Sequence, residues 1–265
     1  MIMKSILRYP GSKWNLAHKI IELFPAHKSY LEPFFGSGAV LFNKPSSSIE
    51  TVNDLNEDVV NLFQVIQSCP EELAEKVFLI PYSRAVYDRA WEFRPKDEIE
   101  KALSFLIRSM MSRGFRNTEK SGWKRDVNGR ERSYAVKHWN ELPGIIQEAT
   151  LRLKEVQIEK RPALDLIQEF SRKDVCMYVD PPYVLSTRAR KQYTVEMEDK
   201  DHIELLGELN QSKAKILLSG YDSELYNKRL SNWERIEFAS LAEGGLKRVE
   251  VLWMNFQPNK QLELF

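Results

Sequence analysis

Apolar positions along the chain switch between helical spacing and short continuous runs, and the switches predict where elements begin and end. From Lys13 to Phe24, Trp14, Ala17, Ile20, Ile21 and Phe24 share one helical stripe, which Pro25 stops. A short strand is predicted over Ser29 to Phe34. It runs into Phe35-Gly36-Ser37-Gly38, after which Ala39 to Phe42 reads as the first turn of a helix. Ile49 to Asn53 predicts a second strand ending at Asp54. Leu55 to Ile66 follows, with apolar residues at 55, 59, 62, 63 and 66, the stripe of a core-facing helix.

The alternation then breaks. Residues 71–79, 83–93, 97–112 and 138–153 read as helices around a basic loop near Gly114, Gly122 and Gly129. Strands resume at Val156 to Glu159, Val175 to Val179 and Ala214 to Ser219, with helices over Pro162 to Phe170 and Lys200 to Asn210. Trp233 to Ala239 and Val249 to Phe256 flank Gly244-Gly245 and predict a hairpin on the sheet edge. The expected architecture is therefore α/β: a parallel sheet with an antiparallel C-terminal hairpin. Residues 1–66 and 154–265 would form one domain, and 67–153 an inserted, mostly helical subdomain.

Composition narrows the class. The 265 residues hold 43% apolar side chains, enough for a full core, and 39 basic against 38 acidic residues, so net charge names no partner. No apolar run of about 18 residues and no apolar N-terminal stretch occur, which predicts a soluble, cytoplasmic protein. Cys69 and Cys176 stand apart, and His18, His27, His138 and His202 form no ligand pair, so neither disulfides nor a metal are expected. Charge distribution says more. Residues 108–137 carry nine Lys or Arg and three Asp or Glu, with Phe115, Trp123 and Tyr134 interleaved: either a solvated face or a surface that grips nucleic acid.

Three signals fall where strands end. The first is Glu32-Pro33-Phe34-Phe35-Gly36-Ser37-Gly38, whose glycines allow close backbone approach by a ligand. As a dinucleotide fingerprint it is incomplete, because the third glycine position holds Leu41. The second is Asp54, placed either to accept ribose hydroxyls or, with Glu57, to cap the next helix. The third is Asp180-Pro181-Pro182-Tyr183, directly after an apolar strand. Two prolines with fixed φ and no N–H make this a rigid stop rich in acceptors, which is what an amino group needs. The three converge on one sheet edge.

With these residues in place the chain resembles the Dam-like, D12 class of DNA adenine-N6 methyltransferases. In that family a [KR]-[WY]-x-G-[GS]-K segment precedes EPFxGxG, a target-recognition insert follows, and DPPY comes late. Here the set reads Arg8-Tyr9-Pro10-Gly11-Ser12-Lys13, Glu32 to Gly38, and Asp180 to Tyr183, with Tyr9 where many relatives have tryptophan and Ser12 where many have glycine. The resemblance implies a Rossmann-like sheet that binds S-adenosylmethionine. Tyr9, Lys13, Glu32, Pro33 and Phe34 would contact it, Gly36 and Gly38 would floor it, Asp54 would hold its ribose, and Asp180 would touch both reactants. The insert would select the DNA target.

The chemistry follows from the substrate. An adenine amino group is a weak nucleophile until acceptors localise its lone pair, and Asp180 with the Pro181 carbonyl offers two. The base must leave the duplex, and Tyr183 beside Pro182 would stack on it. Arg113, Arg116, Lys124, Arg125, Arg130 and Arg132 of the insert, and Arg188, Arg190 and Lys191 after the motif, are candidate phosphate contacts. Cytosine-N4 or RNA adenine methylation would use the same acceptors, and a nicotinamide-dependent dehydrogenase or a catalytically silent DNA-binding module is the reading from other classes. The recognition sequence and any restriction endonuclease partner are not encoded in these motifs.

Overall fold

The computed structural model describes residues 3–114, 119–128, 133–188, 191–241 and 247–258. Five strands run parallel: β1 (Ser29–Glu32), β2 (Ile49–Asn53), β3 (Val156–Glu159), β4 (Val175–Val179) and β5 (Lys215–Tyr221). β6 (Glu234–Leu241) and β7 (Lys247–Met254) form the expected hairpin, and β7 pairs antiparallel with β5. The sheet order is β3-β2-β1-β4-β5-β7-β6. The chain builds outward from β1 to one side, then returns to place β4 on the other, so the strand order reverses between β1 and β4. In open α/β sheets the crevice beyond such a reversal is where ligands bind.

Strand periodicity divides the core in two. Tyr30, Cys176, Tyr178, Leu217, Leu252 and Met254 point to one face, and Leu31, Val175, Met177, Val179, Leu218 and Trp253 to the other. Every residue of β1 and β4 is buried, as strands covered on both faces require. On the first face lie α1 (Ala17–Glu22), α2 (Glu57–Ser68), α3 (Pro70–Leu79), α4 (Arg84–Glu92), α5 (Glu98–Met111) and α6 (Tyr134–Leu153). On the second lie α7 (Ala163–Glu169), α8 (Asp199–Gln211) and α9 (Glu224–Arg229). The helices of the expected insert share one buried cluster with Tyr30 and Val52: α3 and α5 pack on α2, α4 packs on α5, and α6 packs on α2 and β3.

Departures from the sequence reading have local causes. Ala39 to Phe42 makes turns rather than a helix: Phe42 N–H bonds Gly38 O and Lys44 N–H bonds Val40 O, and Pro45 stops propagation. The last long helix of the insert starts at Tyr134, where the Ser133 hydroxyl caps Val136 N–H, four residues before the apolar stripe predicts. At the sheet's opposite edge, buried Glu50 accepts from Lys44 Nζ at 2.5 Å and from both terminal nitrogens of Arg152, tying the end of α6 to β2.

Candidate active site

The floor of the crevice is the turn after β1. Gly36 and Gly38 sit at φ +52° and +68°, in the left-handed region that side chains disfavour. A Cβ on Gly38 would lie 2.6 Å from Phe35 Cζ and from Phe42 Cε2, and one on Gly36 would lie 3.1 Å from the Tyr9 ring. Packing therefore demands both glycines in addition to any ligand. Asn53, buried at the end of β2, fastens the turn: its amide donates to Pro33 O at 2.9 Å and Arg161 O at 3.0 Å and accepts from Arg161 N–H at 2.8 Å. Nothing in the sequence pattern singles out Asn53.

Asp54 takes a different local role from the expected cap. Its Oδ2 accepts from Gly36 N–H and its Oδ1 from Asn56 N–H, both at 2.8 Å, while Asn56 itself caps α2 by accepting from Asp58 N–H. Burial pushes the Asp54 carboxyl up to about 6, against the pull of those N–H bonds. The carboxylate thus bridges the glycine turn and the next helix and still borders the crevice.

The opposite wall comes from β4. Asp180 and Pro182 line the same crevice as Tyr9, Lys13, Glu32, Pro33, Phe34, Gly36 and Asp54, as the sequence reading expects. Gly38 lies behind the floor, Pro181 is buried, and Tyr183 is 6% exposed. Lys13 Nζ donates to Gly11 O at 2.6 Å, stands 3.0 Å from Asp180 Oδ1, and sits 4.8 Å from the centre of the Tyr183 ring. Burial alone would pull the Lys13 ammonium down, but Asp180, Glu250 and Tyr193 outweigh it and hold it charged. Burial pushes the Asp180 carboxyl up, with Lys13 opposing. Despite the ion pair, Asp180 Oδ1 has no aligned hydrogen bond, and Glu32 Oε2 is likewise buried without one. Burial also lifts the Glu32 carboxyl to about 8.

Tyr183 is fixed from behind. Its hydroxyl donates to Glu250 Oε2 at 2.6 Å, and its ring stands edge-on to Tyr221 with centroids 4.6 Å apart. The roof is the segment after DPPY, where Tyr193, Val195 and Met197 line the crevice and Tyr193 Oη donates to Pro10 O at 3.3 Å. Ser12 and Ser37 hydroxyls meet at 2.8 Å, closing the N-terminal motif over the glycine turn. Glu250 and the tyrosines 178, 193 and 221 escape sequence reasoning because no local pattern marks them; strand pairing and loop closure bring them in.

Among the expected phosphate contacts, Arg188 is a correction. Its side chain is 4% exposed, paired with Glu196 at 2.5 Å, and its Nε donates to Tyr183 O at 2.7 Å, so it braces the DPPY loop rather than facing solvent. Arg113, Arg125 and Lys191 are exposed, and Lys124 is half-buried with its ammonium over the Tyr134 ring. Arg113 and Lys124 flank a short ladder, Arg113 N–H to Gly122 O and Lys124 N–H to Met111 O, each 2.7 Å. Arg116, Arg130, Arg132 and Arg190 lie outside the described residues. Among the described residues no cluster of His, Cys, Asp or Glu is arranged to hold a metal ion, and no helix is long and apolar enough to cross a membrane.

A mostly parallel seven-stranded sheet ending in an antiparallel hairpin, with a glycine turn after β1 and an acidic residue after β2, defines a Rossmann-like methyltransferase. Residues 9–243 match the family of D12 class N6 adenine-specific DNA methyltransferases, and the chain belongs to it. A type II methyltransferase, M.MjaIII, of Methanocaldococcus jannaschii is 25% identical, with 86% of this chain and 88% of the relative aligned. A DNA adenine methylase of Vibrio cholerae is 25% identical over 83% of this chain and 82% of its own length. One from Haemophilus influenzae is 27% identical over 68% and 64%. The chain is thus an adenine-specific DNA methyltransferase, and its family implies a methyl donor of the S-adenosylmethionine type. Membership removes the dehydrogenase reading and selects adenine N6 over cytosine N4.

Proposed function

We propose that the chain transfers the methyl group of S-adenosylmethionine to N6 of an adenine turned out of duplex DNA, with Asp180 and the Pro181 carbonyl gripping the amino group. The supporting observation is Asp180 Oδ1: buried, at the end of β4, without an aligned hydrogen bond, on the crevice that Gly36 floors. Its one close partner is the Lys13 ammonium at 3.0 Å, and an amino hydrogen of the base is the donor that would take that place.

The residues fit the donor. Asp54 and Asp180 would offer carboxylates to a molecule bearing a sulfonium and an ammonium, Glu32 adds a buried carboxyl oxygen without a hydrogen-bond partner, and the crevice runs along the glycine turn at Gly36. When bound, S-adenosylmethionine supplies an electrophilic methyl group. Asp54 would accept the ribose hydroxyls, and Ala163, Phe34 and Val195, which line the crevice, would cover apolar surface. For the target base, Lys13 withdraws from Asp180 and from the face of Tyr183, and the adenine ring takes its place. Asp180 and Pro181 O then each accept one N6 hydrogen, drawing the lone pair out of conjugation and aiming it along the transfer direction. Asp180, its carboxyl already raised by burial, receives the proton released from N6. Unstacking the base costs a few kcal/mol, which the Tyr183 platform and phosphate contacts by Arg113, Lys124, Arg125 and Lys191 offset.

The test is Asp180→Ala. Loss of an acceptor aimed at the reacting group lowers turnover by about 10²-fold or more, while titration calorimetry with S-adenosylhomocysteine still detects the cofactor site. A variant that methylated DNA at the parent rate would end this assignment.

A further inference from the structure

The hydroxyl of the DPPY tyrosine is held by a residue far away in sequence, and the topology explains how it arrives. β7 runs antiparallel to β5, so its N-terminal half, rather than its C-terminal end, reaches the catalytic edge. The register pairs Glu250 directly with Tyr221. Directly paired residues share a sheet face, and both close on Tyr183: Tyr221 edge-on at 4.6 Å between centroids, Glu250 through a 2.6 Å hydrogen bond from the phenol. Neighbouring acids and bases converge there too, since the negative charge of Glu250 acts on Lys13, Asp180 and Tyr183.

We propose that Glu250 is a positioning residue for methyl transfer: its carboxylate anchors the Tyr183 hydroxyl and so fixes the plane on which the extruded adenine stacks. A tyrosine ring has two soft torsions, and Tyr221 supports only one edge of it. Without the Glu250 anchor the phenol loses a charge-assisted bond, and packing alone is left to hold the ring plane when the base displaces Lys13. The hairpin that closes this sheet is therefore part of the base-holding apparatus, and Glu250 acts through Tyr183 without touching either reactant. This inference rests on the adenine-stacking role of Tyr183 given above.

A double-mutant cycle with Glu250→Gln and Tyr183→Phe tests it. The amide is isosteric with the carboxylate, and the phenylalanine keeps the ring. Two readouts are taken on the full chain: the single-turnover methylation rate, and the fluorescence rise of 2-aminopurine placed at the target adenine, which reports unstacking. Affinity for S-adenosylhomocysteine serves as the control for intact folding. Each single variant is expected to lower the transfer rate by about three- to tenfold, part of what one hydrogen bond to a charged group is worth because the bond acts on the base only through the ring, and to change the 2-aminopurine signal with cofactor affinity unmoved. The double variant is expected to be no worse than the poorer single one, because both substitutions break the same bond. Multiplying effects, or a Glu250→Gln enzyme equal to the parent in both readouts, would overturn the proposal. A parent enzyme that gave neither N6-methyladenine nor a 2-aminopurine response would instead remove the reading of Tyr183 on which it rests.

Discussion

Replacing Gly38 by alanine puts the glycine turn to a quantitative test. At φ +68° an L-residue costs about 1–2 kcal/mol. The new Cβ would also stand 2.6 Å from Phe35 Cζ and from Phe42 Cε2, two rings packed with Phe63 in the buried core. Neither ring can retreat freely, so an overpacking cost of about 1–3 kcal/mol is added. The sum, about 2–5 kcal/mol, corresponds to a melting midpoint about 4–10 °C lower for a chain of this size. Gly36→Ala incurs the φ cost with a milder contact, 3.1 Å to the Tyr9 ring, and is expected to fall less. Gly207→Ala, in α8 with nothing within 4 Å of the new methyl, is expected to gain about 0.5–1 kcal/mol from helix propensity. Differential scanning calorimetry of the three variants gives the order directly. A Gly38→Ala midpoint equal to that of the parent, or below Gly207→Ala by less than Gly36→Ala is, would refute the steric reasoning.

Asp54 has a carboxyl raised to about 6, so it protonates as pH falls through that value and loses its ability to accept both ribose hydroxyls. S-adenosylmethionine affinity measured by calorimetry should weaken below about pH 6 in the parent, and Asp54→Asn should bind weakly without that dependence. For stability the sign is opposite. Glu32 is raised from its ordinary value to about 8, so the folded state holds its proton where the unfolded state has lost it, and stability falls as pH rises from about 4.5 toward 8. Glu32→Gln should flatten that slope in urea titrations. On DNA, Arg125→Ala or Lys191→Ala should each reduce the slope of log affinity against log salt by about 0.9, whereas Arg188→Ala should leave the slope intact and lower the melting midpoint by loosening the loop that Glu196 closes.

Much of this protein can be read locally. β4 is a five-residue apolar run and β2 is followed at once by an acid, so both strands and the Asp54 and Asp180 positions follow from short-range pattern. The DPPY loop is legible because prolines forbid continuation. What local pattern misses is set by pairing and packing. Glu250 is an ordinary acid in an alternating strand until the register places it opposite Tyr221. Arg188 belongs to a basic run by composition, but a glutamate eight residues on and a backbone carbonyl bury it. Asn56 rather than Asp54 caps α2 because Gly36 N–H, brought up by the turn after β1, claims the Asp54 carboxylate. Asn53 fastens three strand ends through groups that only the folded sheet brings together.

The most direct measurement is the product itself. The full chain is incubated with methyl-labelled S-adenosylmethionine and separate DNA and RNA pools, each of which is digested to nucleosides and resolved by chromatography. Label is expected in N6-methyldeoxyadenosine from DNA, and lower by about 10²-fold or more when Asp180→Ala replaces the parent. Label in N4-methyldeoxycytidine or in RNA, or label that survives Asp180→Ala undiminished, would contradict a site in which Asp180 and Pro181 hold the adenine amino group.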